Sequence, residues 1–347
     1  MPISGREPLA SKVARRLSSA ARSLGTADPS PSVRGLLDRT FSLPEGDRRY
    51  GANALMPMAA PFEPSFSEQQ PGVLRFTIEP LPPDASSIDR RDEATREMRR
   101  LISEWMGRDA LRWFDERSEP FRGFSANGGM NYGAFFGSSH DPQGLLASKV
   151  YYELQPGQMD AMPRDLIGLS NLVTAYLPTL VPLFTTLAAQ RDQGGQRLTY
   201  VHAGGVKLTD LGPVLDALGL GGRLPAIMQT LGLVLGGRFD LPPNGCLMAF
   251  GMGPSGPDFE IYVLLSAIPD LPVNFLSLLS LGLSERPREL IALERWMDAF
   301  TPEDDVWPGR FSILSLRTSR QSPPRVSLYL RPAEFELPMQ AANTIPA

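Results

Sequence analysis

The chain has 347 residues, 42% apolar and 21% charged, with 34 basic against 38 acidic side chains and a net charge of −4. Such a length holds one large unit or two domains, and the acidic balance argues against a broad nucleic-acid surface while saying nothing of charge inside a cavity. Cys246 is the only cysteine, which excludes an intramolecular disulfide and fits a reducing cytoplasm; with two histidines, His140 and His202, no zinc site of ordinary spacing can be assembled.

Lys12, Arg15, Arg16 and Arg22 lie among serines and alanines with no long apolar stretch, so residues 9–24 are predicted to form an amphipathic helix rather than a secretion signal. A Pro/Ser linker at 27–32 and a short helix at 33–40 complete an N-terminal segment, 1–45, ahead of a single domain, 46–335, and a tail, 336–347. Residues 61–82 then read as a hairpin, two runs of alternating polarity about Gln70, Pro71 and Gly72. Glu63, Ser65, Ser67, Arg75, Thr77 and Glu79 fall on one face and Phe62, Phe66, Leu74, Phe76 and Ile78 on the other. Residues 90–117 have apolar positions at helical spacing, predicting two helices broken near Gly107.

A second hairpin is predicted from 131–138 and 146–154, followed by a long helix over 164–191. Residues 167–189 carry no charge over a length that would span a bilayer, but Pro178 and Pro182 interrupt them and no aromatic or basic anchors flank both ends. A helix buried against a sheet is the expectation, and no membrane span. The third strand pair is placed at 197–202 and 206–209 about Gly204 and Gly205, with helices at 211–218 and 224–235 after it. A fourth hairpin joins 246–252 to 259–266, helices occupy 273–283 and 287–300, and a fifth hairpin joins 310–318 to 325–331.

Hairpin and helices therefore alternate five times, a period that leaves no hairpin able to bury its faces alone. The fold class expected is α+β: a ten-stranded antiparallel barrel of five ααββ repeats inside a ring of helices, wide enough to enclose a cavity. Strands covered by helices outside turn their polar face into the lumen. The second strand of each hairpin carries a polar pair at spacing two: Arg75 and Thr77, Lys149 and Tyr151, Lys207 and Thr209, Glu260 and Tyr262, Ser327 and Tyr329. Arg75, Lys149, Lys207 and Arg317 thus gather beside Tyr151, Tyr262 and Tyr329, with Glu63, Glu260, Glu79 and Glu153 as the carboxylates of that face. Buried cations in excess call for an anion such as pyrophosphate, and the ring faces suit a carbocation left when pyrophosphate departs.

The stretch PFEPSFSEQQPGVLRFTIEP resembles the corresponding segment of the dimethylallyltryptophan synthase family of aromatic prenyltransferases, whose barrel is built from five ααββ units. SKVYYEL at 148–154, FEIYV at 259–263 and VSLYLRP at 326–332 extend the resemblance across about 60–332. It implies transfer of a dimethylallyl group from dimethylallyl diphosphate to the indole ring of tryptophan or a small tryptophan-derived compound. Glu63 then accepts the indole N–H, and Arg75, Lys149 and Lys207 bind the diphosphate with Tyr151, Tyr262 and Tyr329, which also shield the cation; Arg317 joins the diphosphate set from its place on the same face. No aspartate-rich DDxxD box is present, since Asp304 with Asp305 has no second half, and the resemblance implies that no metal is required. The implied partners are the diphosphate and the indole, with no nucleic acid and no membrane, in a monomer or homodimer.

Three departures qualify that carry-over. GVKLT at 205–209 replaces R-x-K-x-Y, so Gly205 and Thr209 remove a cation and a shielding tyrosine; Glu260 stands where a neutral glutamine is usual; and residues 132–139 lack the lysine that takes the ring proton in some members. His140 and His202 are the remaining candidates for that base. A barrel that binds a hydrophobic anion without catalysis, or one that prenylates a phenol or a peptide, are the alternative readings.

Overall fold

The computed structural model describes residues 8–123, 129–191, 194–253 and 256–338. Residues 1–7, most of the tail predicted for 336–347, and residues 254 and 255 of the fourth turn lie outside them. Helix limits follow the capping chemistry. α1 (Leu9–Leu24) buries Val13, Leu17, Ala20 and Leu24 and stops at Gly25, whose φ of 72° is a left-handed cap; α2 (Ser30–Thr40) packs on it. β1 (Phe62–Ser67) and β2 (Leu74–Ile78) form the first hairpin. α3 (Ser87–Trp105) starts from a capping box between Ser86 and Asp89 and yields to α4 (Arg108–Arg122) at Gly107, where the break was predicted.

The remaining elements are β3 (Ala134–Asp141), β4 (Gly144–Glu153), α5 (Arg164–Tyr176), β5 (Leu180–Gln190), β6 (Gly194–His202), β7 (Val206–Lys207), α6 (Gly212–Ala217), α7 (Leu224–Val234), β8 (Asp240–Leu241), β9 (Cys246–Gly253), β10 (Gly256–Leu264), α8 (Phe275–Leu283), α9 (Pro287–Phe300), β11 (Gly309–Ser319) and β12 (Arg325–Pro332). Among the described residues ten strands close antiparallel in the order β1-β12-β11-β10-β9-β6-β5-β4-β3-β2. The expected barrel with helices around it is the fold of this chain. Its core lies between the outer strand faces and the helices, where Phe62, Phe66, Leu74, Phe76 and Ile78 are buried as the hairpin pattern predicts.

The third repeat is where the structure corrects the sequence. The long helix predicted for 164–191 ends at Tyr176, and the residues from Leu180 onward form β5, the first strand of the third hairpin. β6 is its second strand, not its first, with Thr186 opposite Arg197 and Ala188 opposite Gly195. Val206 and Lys207 instead form β7, which pairs only with β8 in a separate two-stranded sheet. The uncharged run at 167–189 is thereby split into a helix and a strand, and among the described residues no helix is long and apolar enough to cross a membrane.

α9 is fastened to the barrel by Trp296, fully buried, whose ring lies 6.1 Å from Phe66 of β1 and 5.3 Å from Phe300. Trp296→Ala is expected to cost about 3 to 5 kcal/mol, the usual price of an aromatic-sized core cavity, read as a lowered urea midpoint with the slope unchanged.

Candidate active site

The register of the closed sheet decides which side chains meet. Ser65 lies opposite Arg75 and Tyr329, Lys149 opposite Gly137 and Ala188, and Glu260 opposite Ala249 and Arg317. These positions share the inner face, and at the end of the barrel that carries the hairpin turns they enclose a cavity of about 430 Å³, a volume suited to a small molecule. Arg75, Lys149, Tyr151, Tyr262, Arg317 and Tyr329 line it together, as six of the predicted residues should. Lys207 does not: it is exposed on β7, outside the barrel. The cation of the third repeat is Arg197, on the inner face of β6 between Gly195 and Thr199. Sequence reasoning missed it because the hairpin was set one strand too late; the glycine pair Gly194 and Gly195 marks the true turn.

The charges on this wall fall into two sets. Arg197 Nη1 donates to Glu260 Oε2 at 2.5 Å, its Nε lies 2.9 Å from Asp258 Oδ1, and Arg317 Nη2 donates to Asp258 Oδ2 at 2.9 Å. Burial works against the charge on Glu260, but Arg197 and Arg317 outweigh it and hold the carboxyl at about 2. Glu260, which stands where a neutral glutamine is usual, is thus paired with an arginine. Arg325 is likewise answered by Glu68, 2.5 Å away. Arg75 and Lys149 have no such partner: among the described residues neither has a carboxylate within ion-pair distance, and Arg75 Nε is buried without a hydrogen bond. Burial, then the nearby charges of Arg75 and Arg317, lowers the Lys149 ammonium to about 7.

The tyrosines form the next layer inward. Tyr262 and Tyr329 have ring centroids 6.2 Å apart, and Tyr151 meets Phe184 edge-on at 5.8 Å. Burial pushes the Tyr151 hydroxyl up to about 12 and raises those of Tyr262 and Tyr329 well above the usual phenol value, so all three stay neutral.

Glu63 is not on the cavity wall. It is 5% exposed on the inner face of β1, close enough to Tyr151 and Tyr329 to act on their hydroxyls, and accepts a hydrogen bond from Ser312 Oγ at 3.0 Å. Burial raises its carboxyl to about 8, with only the Ser312 bond to oppose it. The other proposed carboxylates are committed elsewhere. Glu79 accepts from the backbone of Ala54 and Leu55 at 2.7 and 2.9 Å, and Glu153 accepts from the backbone N–H groups of Asn131, Tyr132 and Gly133. The histidines are structural as well: His140 stacks on Phe76, on the helix side of the sheet, and His202 is held by Thr179 and the Gly204 carbonyl.

No protein-family model and no curated protein matches the sequence. Solved structures do match the fold over nearly the whole chain. 5-Dimethylallyltryptophan synthase from Streptomyces coelicolor, in complex with DMASPP and Trp, superposes with a TM-score of 0.67 at 19% identity, covering 99% of this chain and 100% of that chain. 6-Dimethylallyltryptophan synthase from Micromonospora olivasterospora, also in complex with DMASPP and Trp, gives 0.73 at 15% over 95% and 99%. AnaPT from Neosartorya fischeri gives 0.62 at 11% over 94% and 93%. The fold is the prenyltransferase barrel. Within this prenyltransferase barrel, the cavity wall carries two unanswered cations above a layer of neutral phenols, with a protonatable carboxyl beyond them.

Lys149 gives a check on that charge distribution. The folded chain releases its proton near pH 7 and the unfolded chain near 10.5, so between those values the unfolded state binds more protons and stability falls as pH falls. Lys149→Met is expected to raise the melting temperature, with the gain growing from pH 10.5 down to about 7 and constant below.

Proposed function

We propose that the chain is an aromatic prenyltransferase that moves a dimethylallyl group from dimethylallyl diphosphate to the indole ring of tryptophan or a small tryptophan-derived compound, without a metal. The observation that carries this reading is the pair of partly buried, carboxylate-free cations, Arg75 and Lys149, that line the cavity with Tyr151, Tyr262 and Tyr329. Burying such charges is costly unless an anion completes them. The two neighbours named above, each in complex with DMASPP and Trp, support the substrate pair.

On this reading the C–O bond of the donor breaks with its electron pair going to pyrophosphate, which Arg75 and Lys149 stabilise as charge develops. Binding that anion returns Lys149 to its protonated form. Neutral phenol rings attract the allyl cation by about 0.5 to 2 kcal/mol each and keep water from it. An indole carbon then attacks to form the C–C bond, and the ring loses a proton. Glu63 accepts the indole N–H, a bond that favours its ionised form against the burial that now raises it. Freedom from metal is supported by the donor set: Asp258 and Glu260, the acids of the cavity wall, are both engaged by arginines.

The deciding experiment is incubation of the purified chain with dimethylallyl diphosphate and L-tryptophan in EDTA, followed by mass spectrometry. A product heavier by one dimethylallyl group is expected; neither product nor released pyrophosphate with any allylic diphosphate overturns the reading. Glu63→Gln is expected to lower kcat about a hundredfold with the fold intact by circular dichroism. Because Glu63 is ionised above about pH 8 and Lys149 is protonated below about 7 in the free chain, kcat/KM should pass through a maximum between those values, and its rise on the acid side should vanish in Glu63→Gln.

A further inference from the structure

Arg197 and Glu260 are not on neighbouring strands. β9 lies between them, with Gly251 opposite Arg197 and Ala249 opposite Glu260. The arginine reaches across because that strand is nearly bare there: a Cβ at Gly251 would stand 2.7 Å from Arg197 Cγ and 3.2 Å from Asp258 Oδ1. Beyond the strand its guanidinium is held at Nη1 by Glu260 and lies with Nε against Asp258. Ser315 Oγ donates to the other Glu260 oxygen at 2.8 Å, and Arg317 closes the row on Asp258. Ser315, Glu260, Arg197, Asp258 and Arg317 thus form one chain of bonds through the third, fourth and fifth repeats, with two positive and two negative charges.

We infer that Glu260 is a positioning residue of the diphosphate site: it pins Arg197 across β9 and cancels its charge, so that the diphosphate settles against Arg75 and Lys149 and binds less tightly than four free cations would hold it. This rests on the prenyltransferase reading and adds to it the place of the anion within the barrel. Of the five cations on the wall, Arg325 is held by Glu68, and the other four against Asp258 and Glu260 leave an excess of two, on β2 and β4. Full exposure of Arg197 would hold the leaving pyrophosphate as firmly as the donor, which slows its release. A neutral side chain at 260 would leave Arg197 only Asp258, which Arg317 already engages, and so let its Nη1 end turn toward the anion.

Pyrophosphate itself is the probe, since it carries the charges of the donor without the chemistry. Calorimetric titration of the full chain with inorganic pyrophosphate, in EDTA and without acceptor, is expected to show binding that tightens about tenfold in Glu260→Gln, or about 1.4 kcal/mol. The double variant Arg197→Met with Glu260→Gln removes both charges together, a change that buried pairs tolerate, and is expected to bind as the natural chain does. Unchanged or weaker binding in Glu260→Gln overturns the inference, and so does a loss beyond about tenfold in the double variant, because Arg197 would then be a direct ligand. A natural chain that binds no pyrophosphate overturns this inference and the prenyltransferase reading together, whereas normal binding with either failure above leaves that reading standing.

Discussion

Closing ten strands into one barrel leaves a lumen too wide for side chains to fill, and everything that points inward has to be satisfied by another inward group or by a ligand. The outer face has no such problem, because phenylalanine, leucine and isoleucine there meet the helices. Inside, the chain solves most of the charge balance for itself: Arg197, Arg317 and Arg325 each find a carboxylate. It leaves Arg75 and Lys149 unsolved. That residue of imbalance is bought with stability, and in a folded protein such a debt persists where it serves binding.

The imbalance also gives the lumen a direction. Cations sit toward the hairpin turns, neutral phenols come next, and Glu63 lies past them in surroundings that keep its carboxyl protonated near neutrality. A molecule with an anionic head and an apolar allyl tail matches the first two layers in order. The third layer offers an acceptor for a single N–H, and its response to ligand is electrostatic: the same burial that raises Glu63 strengthens any hydrogen bond made to its ionised form.

Much of this was legible in the sequence because inner and outer strand faces alternate visibly in four hairpins. Arg75, Lys149, Tyr151, Tyr262, Arg317 and Tyr329 were all assigned to the lumen from spacing and resemblance, and all line the cavity. The third hairpin hid itself. On β5 the inner residues Thr186 and Ala188 are as small as parts of the outer face, so no alternation marked a strand, and the uncharged run passed for helix. That single shift moved the expected cation from Arg197 to Lys207. What no spacing reveals is pairing across an intervening strand: Glu260 looked like a misplaced negative charge until Arg197 was seen crossing Gly251 to reach it.

The third repeat also bears on how the proposed cation would be kept dry. Tyrosines stand on β4, β10 and β12, whereas the three strands between β4 and β10 line the cavity with Thr186, Ala188, Gly195, Arg197 and Met252 among others. At the corrected register Gly195 and Thr199 flank Arg197, so the outer cation and the ring that the resemblance implies for this repeat are both missing from it. On the proposed reaction the cation would meet the rings of Tyr151, Tyr262 and Tyr329, with Phe184 of β5 behind Tyr151, whereas β6 offers it Gly195 and the paired Arg197 and no ring. The acceptor's own aromatic ring would then be the group that covers that side and keeps water from it.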